Sequence, residues 1–386
     1  MPQIGDPENH SPYDAIVVGA GAIGLACAWR AAQRGLRVCV LERGEPGSGA
    51  SGVAAEMLAP VSEMSFGEQG LLRANLASAL AWPAFARELG EATGRETGYR
   101  DCGALHVALD GDEVAELRRR HELQDSLGLE AQWLRPSECR RLEPGLAPSV
   151  AGGIHASAEA EVDPRALVAA LVEALRRERG ELIAGDEPAE ALFDGDRIRG
   201  LQTVAGRTLV ADRVVLAAGA WSGSSSWLPV EARPPVRPVK GQILVLRGAE
   251  PVCERIVVSP RVYLVPRADG RLVVGATVEE RGFDATVTAG GVHELLREAY
   301  RLVPEIAELE LVETTVGLRP GSPDNAPLVG PAAVEGLVVA SGHFRNGILL
   351  APLTGDAVAS LLAGERPPDE IAALSPARFG RQAVVA

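Results

Sequence analysis

Residues 14–42 read DAIVVGAGAIGLACAWRAAQRGLRVCVLE, and this stretch decides the fold. DAIVV is a short apolar run, GAGAIG a turn, LACAWRAAQR carries helical spacing, and LRVCVLE returns as a strand. Gly19 permits the tight turn, Gly21 lets a pyrophosphate approach the backbone, and Gly24 lets helix and strand pack closely. The helix N-terminus offers free N–H groups and a partial positive charge to phosphates. Glu42 ends the second strand, where a carboxylate can accept hydrogen bonds from a ribose diol. With all parts in register, the segment predicts a dinucleotide site.

The rest of the chain is consistent with that start. Its 386 residues allow one large or two ordinary domains. Apolar residues are 46% and charged residues 23%, enough for a sizeable core and against wholesale disorder. The net charge of −14 comes without any basic block, which argues against nucleic acid and anionic membrane surfaces as partners. No run of 18 apolar residues exists to span a bilayer, and MPQIGDPENHSP lacks the regions of a signal peptide. The expected location is the cytoplasm. Five cysteines, Cys27, Cys39, Cys102, Cys139 and Cys253, form no CxxC pair or zinc spacing and read as buried thiols. No metal site is predicted. Lys240 is the only lysine in a chain with 38 lysines and arginines.

Downstream, GEPGSGASGVAAEMLAP is a long run of small residues suited to wrapping an extended cofactor, where a nicotinamide fold would begin another βαβ unit. VDPRALVAALVEALRRERG is a punctuated helix, with Asp163 as cap, Pro164 in the first turn and Gly180 at the end. A hairpin is expected around Asp194-Gly195-Asp196. The order of elements predicts an α/β (α+β) chain of two interleaved domains. A Rossmann-like domain would collect 11–90, 151–233 and 317–365. A smaller, largely antiparallel-sheet substrate domain would use 91–150 and 234–316, with the ligand in the cleft between them.

Seven further stretches identify a resemblance: ASGVAAEMLAP, VVLAAGAWSG, PVKGQ, YLVPR, GRLVVGAT, GLRPGSPDNAPLVGP and GHFRNGILLAPLTG. With GAGAIG, they make the chain resemble the D-amino-acid oxidase superfamily of FAD enzymes, and within it the bacterial glycine oxidases, from about Tyr13 to Gly364. The resemblance implies non-covalent FAD, since covalent attachment in related sarcosine oxidases uses a cysteine in the C-terminal part and none follows Cys253. It also implies oxidation of glycine, sarcosine and small D-amino acids by O2 to oxo acid, ammonia or amine, and hydrogen peroxide. The physiological role implied is supply of glycine imine for the thiamine thiazole, by a homo-oligomer. The alternatives are a D-amino-acid or sarcosine oxidase, a quinone-linked dehydrogenase, or a flavin-binding subunit silent without a partner.

Carried over residue by residue, the resemblance implies that Ala22, Ile23, Glu42 and Arg43 line the ADP half of FAD. Ala50, Ser51, Ala55, Glu56 and Met57 would pass beside the pyrophosphate and flavin, and Ala189 would reach the adenosine. His343, Phe344, Arg345, Asn346, Gly347, Ile348 and Leu349 would form the loop over the flavin ring. Arg319 would pair with the substrate carboxylate, Tyr263 would support it, and Arg345 would serve substrate or flavin. A guanidinium offers a planar fork that fits a carboxylate with two parallel hydrogen bonds. Glu56, Val278 and Arg261 depart from the family pattern, where a small residue, a methionine and a histidine are found. No Ser-His-Asp, HExxH or paired-carboxylate pattern emerges, which agrees with a cofactor that supplies the reactivity.

Overall fold

The computed structural model describes residues 13–55, 57–61 and 69–382. Its first sheet has a parallel centre in the order Leu337–Ser341, Thr208–Leu216, Tyr13–Val18, Val38–Glu42 and Glu181–Ala184. Val38–Glu42 and Leu337–Ser341 are near-continuous apolar runs because both of their faces are covered. Val17, Val40, Val215 and Val338 face one side, where Ala22–Gln33, Gln69–Thr93, Pro164–Arg177 and Ala351–Leu362 form a helical layer. Ile16, Val18, Cys39, Leu41, Val214 and Leu216 face the other. There the Pro188–Asp194 and Arg197–Thr203 hairpin covers them, turning at Gly195 with φ 59°.

The second sheet has eight strands in the order Glu310–Gly321, Arg237–Arg247, Arg271–Gly275, Tyr263–Pro266, Ile256–Val258, Ala104–Ala108, Gly152–Ala156 and Gln132–Leu134. Its Leu244, Leu246, Leu264, Leu272 and Val274 pack beneath the Ala289–Leu302 helix. The opposite face, with Ile243, Val265 and Val273, meets Val53, Ala55 and Met57 of the small-residue stretch. The ligand cleft therefore lies between this face and the end of the first sheet.

Hydrogen bonding moves two boundaries of the sequence reading. Gly152–Ala156 pairs with Ala104–Ala108, and residues 317–321 continue a strand paired with Arg237–Arg247. Both belong to the second sheet, although 151–233 and 317–365 were expected in the Rossmann-like part. The reading also passed over the helices Gly111–Ser126 and Pro136–Leu142, whose polar sequences have only a narrow buried stripe.

The Pro164–Arg177 helix forms where its punctuation predicts. Asp163 Oδ1 accepts from Arg165 N at 2.9 Å and Ala166 N at 3.1 Å, and Oδ2 pairs with Arg271 at 2.8 Å. At the other end the left-handed turn falls on Arg179, φ 62°, one residue before Gly180. Asp163→Ala removes a cap worth about 0.5–2 kcal/mol together with an ion pair that links the helix start to the second sheet. The thermal midpoint of the holoenzyme at fixed FAD should fall, and Asp163→Asn should recover most of the loss. An unchanged midpoint for Asp163→Ala would rule this role out.

Candidate active site

The glycine turn is a backbone-to-backbone contact. A Cβ on Gly19, whose φ is 108°, would lie 2.5 Å from the carbonyl oxygen of Ala217, and one on Gly24 would collide with the carbonyl of Gly19. Gly19 N donates to Leu41 O and Ala217 N to Val18 O, so the turn is stitched to strands on both sides. Gly21 opens the Ala22–Gln33 helix without a side-chain cap of its own. Ser51 Oγ instead accepts from Ala22 N at 3.0 Å, an interaction that carries the small-residue stretch over the helix start. Glu42 is fixed at the same mouth, its carboxylate accepting from Ala20 N at 2.7 Å and Gly44 N at 2.9 Å.

A single cavity of about 770 Å³ runs from this turn to the second sheet. That volume lies in the upper part of the range for cofactor and small-molecule sites, roughly 300–1,000 Å³. Glu42, Arg43 and Ala189 line one region, and Gly19, Gly21, Ala22 and Ile23 the helix start. Ala50, Ser51, Ala55 and Met57 continue the wall, followed by His343, Phe344, Arg345, Gly347 and Ile348. The helix start, the anchored acid and the side-chain-free approach fit an extended dinucleotide cofactor.

The substrate end is built on the second sheet by strand register. Residues directly opposite one another across a ladder share a face. Arg319 and Gly317 lie two apart on one strand; Gly317 faces Gly241, Ile243 faces Gly275, and Gly275 faces Tyr263. This places Arg319 and Tyr263 on one face with glycines between them. The glycines are required by the long side chains laid over them. A Cβ on Gly241 would lie 2.5 Å from Arg319 Cζ, and one on Gly275 would run into the Tyr263 ring.

Arg319 is half-buried and lines the cavity. Its Nη1 donates to Thr277 O at 3.0 Å and Lys240 O at 3.5 Å. Among the described residues no carboxylate pairs with it. Nη1 is therefore anchored by carbonyls, while the rest of the fork can meet a ligand's carboxylate. The loop at 343–349 is tied to the same strand, because Phe344, with φ 48°, donates its N–H to Pro320 O at 2.9 Å. Arg345 is exposed at the rim and lies over the Phe344 ring at 5.1 Å.

Three predicted contacts are placed behind the wall. Gly24 serves the helix–turn packing, and Asn346 and Leu349 anchor the loop from behind. Asn346 is buried and accepts from Asn75 at 3.5 Å; Leu349 O accepts from Ser78 Oγ at 2.6 Å and Trp82 Nε1 at 2.8 Å. Glu56 lies outside the described residues. Val278 lines the cavity, and so does Arg261.

The sequence reading missed Trp221 and His106. Trp221 lines the cavity under the Arg43 guanidinium, 3.8 Å from its ring centre. His106 lies in the same row as Tyr263, through Val258, and is buried. Burial, then the charge of Arg120, pushes its imidazole down to about 3, and burial does the same to His343. Both rings are neutral near pH 7, and His343 Nε2 shares a hydrogen bond with Thr354 Oγ1 at 3.1 Å. A lone histidine within an apolar strand gives no sequence signal that separates a cavity wall from a core.

Comparison with known proteins agrees with this geometry. A family model described as "FAD dependent oxidoreductase" (DAO) matches residues 14–361. The chain is 36% identical over 371 residues to the glycine oxidase of Geobacillus kaustophilus, covering 94% of this chain and 96% of that one. The crystal structure of glycine oxidase from that organism superposes with a TM-score of 0.89, covering 95% and 99%. The chain is also 34% identical over 374 residues to the bifunctional protein ThiO/ThiG of Trichormus variabilis, covering 96% of this chain and spanning 56% of that protein. It is 31% identical over 401 residues to the hydrogen cyanide synthase subunit HcnC of Pseudomonas aeruginosa, covering 95% and 96%.

None of the five cysteines lines the cavity. Burial raises every one of their thiols, Cys102 to about 11 and Cys39 to about 12, so thiolates are scarce near neutral pH. FAD should therefore be released by acid precipitation. The colour is expected in the supernatant, and a yellow pellet would show a covalent bond.

Proposed function

The chain belongs to the FAD dependent oxidoreductase family, and from that premise we propose that it oxidises glycine and other small amino acids. Bound FAD would supply the redox chemistry, accepting one hydride equivalent (two electrons with one proton) from the substrate Cα and delivering the two electrons to O2. For glycine the products are glyoxylate, ammonia and hydrogen peroxide, with one water consumed. The carrying observation is Arg319, a half-buried cation held by carbonyls at the end of a dinucleotide cavity. It binds the substrate carboxylate through its fork, and the Tyr263 hydroxyl supports it. Arg345 guards the rim.

The protein's part is to fix the carboxylate so that Cα is presented to the cofactor, and to keep competing reactions out. Glycine can present either of its two hydrogens. A larger substrate must put its substituent in the remaining space, beside Val278. The likeness to ThiO/ThiG supports supply of the imine for the thiamine thiazole. A cytoplasmic, homo-oligomeric enzyme is part of the same reading; no described helix is long and apolar enough to cross a membrane.

Initial peroxide rates on one panel test the substrate class. Glycine, sarcosine and D-alanine should be active, D-proline a fair substrate, and bulky D-amino acids and D-aspartate poor. L-Alanine should be essentially inert, and a preference for it over D-alanine would overturn the orientation. The likeness to HcnC favours a second reading, a flavin subunit or dehydrogenase that hands electrons to a partner. Peroxide release from the purified single chain excludes it. Dye reduction by glycine without peroxide would establish it.

Arg319→Ala should leave FAD bound but weaken carboxylate substrates. Losing one partner of a desolvated charge pair costs about 2–5 kcal/mol, equivalent to at least roughly thirtyfold in affinity. Arg319→Lys should rescue only part of this, because it lacks the planar fork. Near-normal affinity for glycine in Arg319→Ala would remove the residue from the site.

A further inference from the structure

Lys240 is fully buried, yet it lies on the face of its strand turned away from the cavity. Strand neighbours alternate faces, so Gly241 underlies Arg319 while Lys240 and Gln242 point to the other side. Lys240 Nζ pairs with Asp284 at 3.1 Å and Glu279 at 3.7 Å. Both acids belong to the segment 276–288, which joins the Arg271–Gly275 strand to the Ala289–Leu302 helix. From residue 280 to its end this segment is exposed. It has no apolar core of its own to hold it.

The start of the segment carries the carbonyl that holds Arg319. The ladder between Arg237–Arg247 and Arg271–Gly275 ends at Ile243 and Gly275. Beyond it an isolated bridge joins Lys240 and Glu279, with N–H···O bonds of 2.9 Å in both directions. Gln242 secures the segment's two ends. Its backbone N donates to Thr277 Oγ1 at 2.9 Å, and its side chain bonds Glu279 and Thr288. Between those ends the Lys240 ammonium reaches Asp284, and Phe283 stacks on Trp221. Burial opposes the Glu279 charge, but Thr277, Gln242 and Lys240 outweigh it and hold the carboxyl below the usual range.

We propose that Lys240 is a positioning residue for the carboxylate site. Its buried ammonium clamps the 276–288 segment through Asp284 and Glu279, so that the Thr277 carbonyl holds the Arg319 fork in a substrate-binding orientation. Lys240 also contributes its own carbonyl to Arg319, but any residue supplies that oxygen. The side chain contributes the clamp. Without it, Asp284 turns to solvent, the segment loosens, and Arg319 keeps its charge while losing its aim.

The inference rests on Arg319 as the carboxylate site, and the test separates the two. Holoenzymes carrying Lys240→Met, Asp284→Asn, Arg319→Ala and the Lys240→Met/Arg319→Ala pair are compared for glycine KM, kcat, inhibition by acetate and FAD content. Lys240→Met and Asp284→Asn should each raise glycine KM and the acetate inhibition constant at least fivefold, with smaller changes in kcat. Lys240→Arg should restore part of the affinity, because it keeps a cation on the same acids. In the Arg319→Ala background, Lys240→Met should add little, since the residue it aims is gone. Asp284 is partly exposed, so its variant keeps the test open if Lys240→Met folds poorly. If acetate and glycine respond to Arg319→Ala but not to Lys240→Met or Asp284→Asn, the clamp is wrong and the carboxylate site stands. An equal effect of Lys240→Met with and without Arg319 would also overturn it, as a general loss of stability. No effect of Arg319→Ala itself would overturn the underlying reading.

Discussion

One close approach governs the molecule: the Gly19–Gly24 turn lies against Ala217 and its own helix with no space for a side chain. The contact puts the helix start, the end of the Thr208–Leu216 strand and the Glu42 carboxylate around one mouth. A cofactor there meets backbone N–H groups rather than side chains. The helix start and nearby backbone donors favour phosphate, and Ser51 brings a second loop to the same helix start. The Ala22–Gln33 helix must then pack tightly against Ala351–Leu362, which small residues allow. A Cβ on Gly355 would lie 3.1 Å from the carbonyl of Ala26.

The second sheet solves a different problem with the same residue. The carboxylate site we propose needs a cation that reaches along the sheet instead of standing up from it. Gly241 and Gly275 flatten the surface so that Arg319 and Tyr263 can lie across neighbouring strands. Sequence and site are thus linked through absent side chains as much as present ones. The two cavity histidines are held neutral, and no paired carboxylates were found in the sequence. The residues are arranged to bind and aim, which leaves the redox step to the cofactor.

The first half of this design was legible in the chain. Gly19, Gly21, Gly24 and Glu42 have a spacing whose physical reason is local, as do Asp163 and Pro164. Arg319 and Tyr263 became candidates through a family resemblance, because nothing in GLRPG says which strand lies beside it. Their shared face depends on register across four strands, and register is set by the folded sheet. The same limit hid His106, two strands beyond Tyr263. It also moved Gly152–Ala156 and residues 317–321 into the second sheet. Asn346 and Leu349 were legible as loop residues, but their placement behind the cavity wall is decided by the buried anchors Asn75, Ser78 and Trp82.

The choice of cation also follows from geometry. Arginine suits places where one charge must be shared among separated oxygens. Arg267 does this in the interior, donating to Ala55 O at 3.1 Å and Val162 O at 3.4 Å while facing Glu161 at 3.6 Å. Burial pushes its guanidinium down to about 9, still above neutrality. Arg319 likewise spends Nη1 on carbonyls and keeps a planar edge for a ligand. Lys240 meets the reverse requirement: a compact charge at the end of a fully buried stem, serving two acids on one segment. A guanidinium there would bring five donors that all need partners, whereas an ammonium brings three that rotate freely. In a chain otherwise committed to arginine, a single lysine at this position fits that requirement.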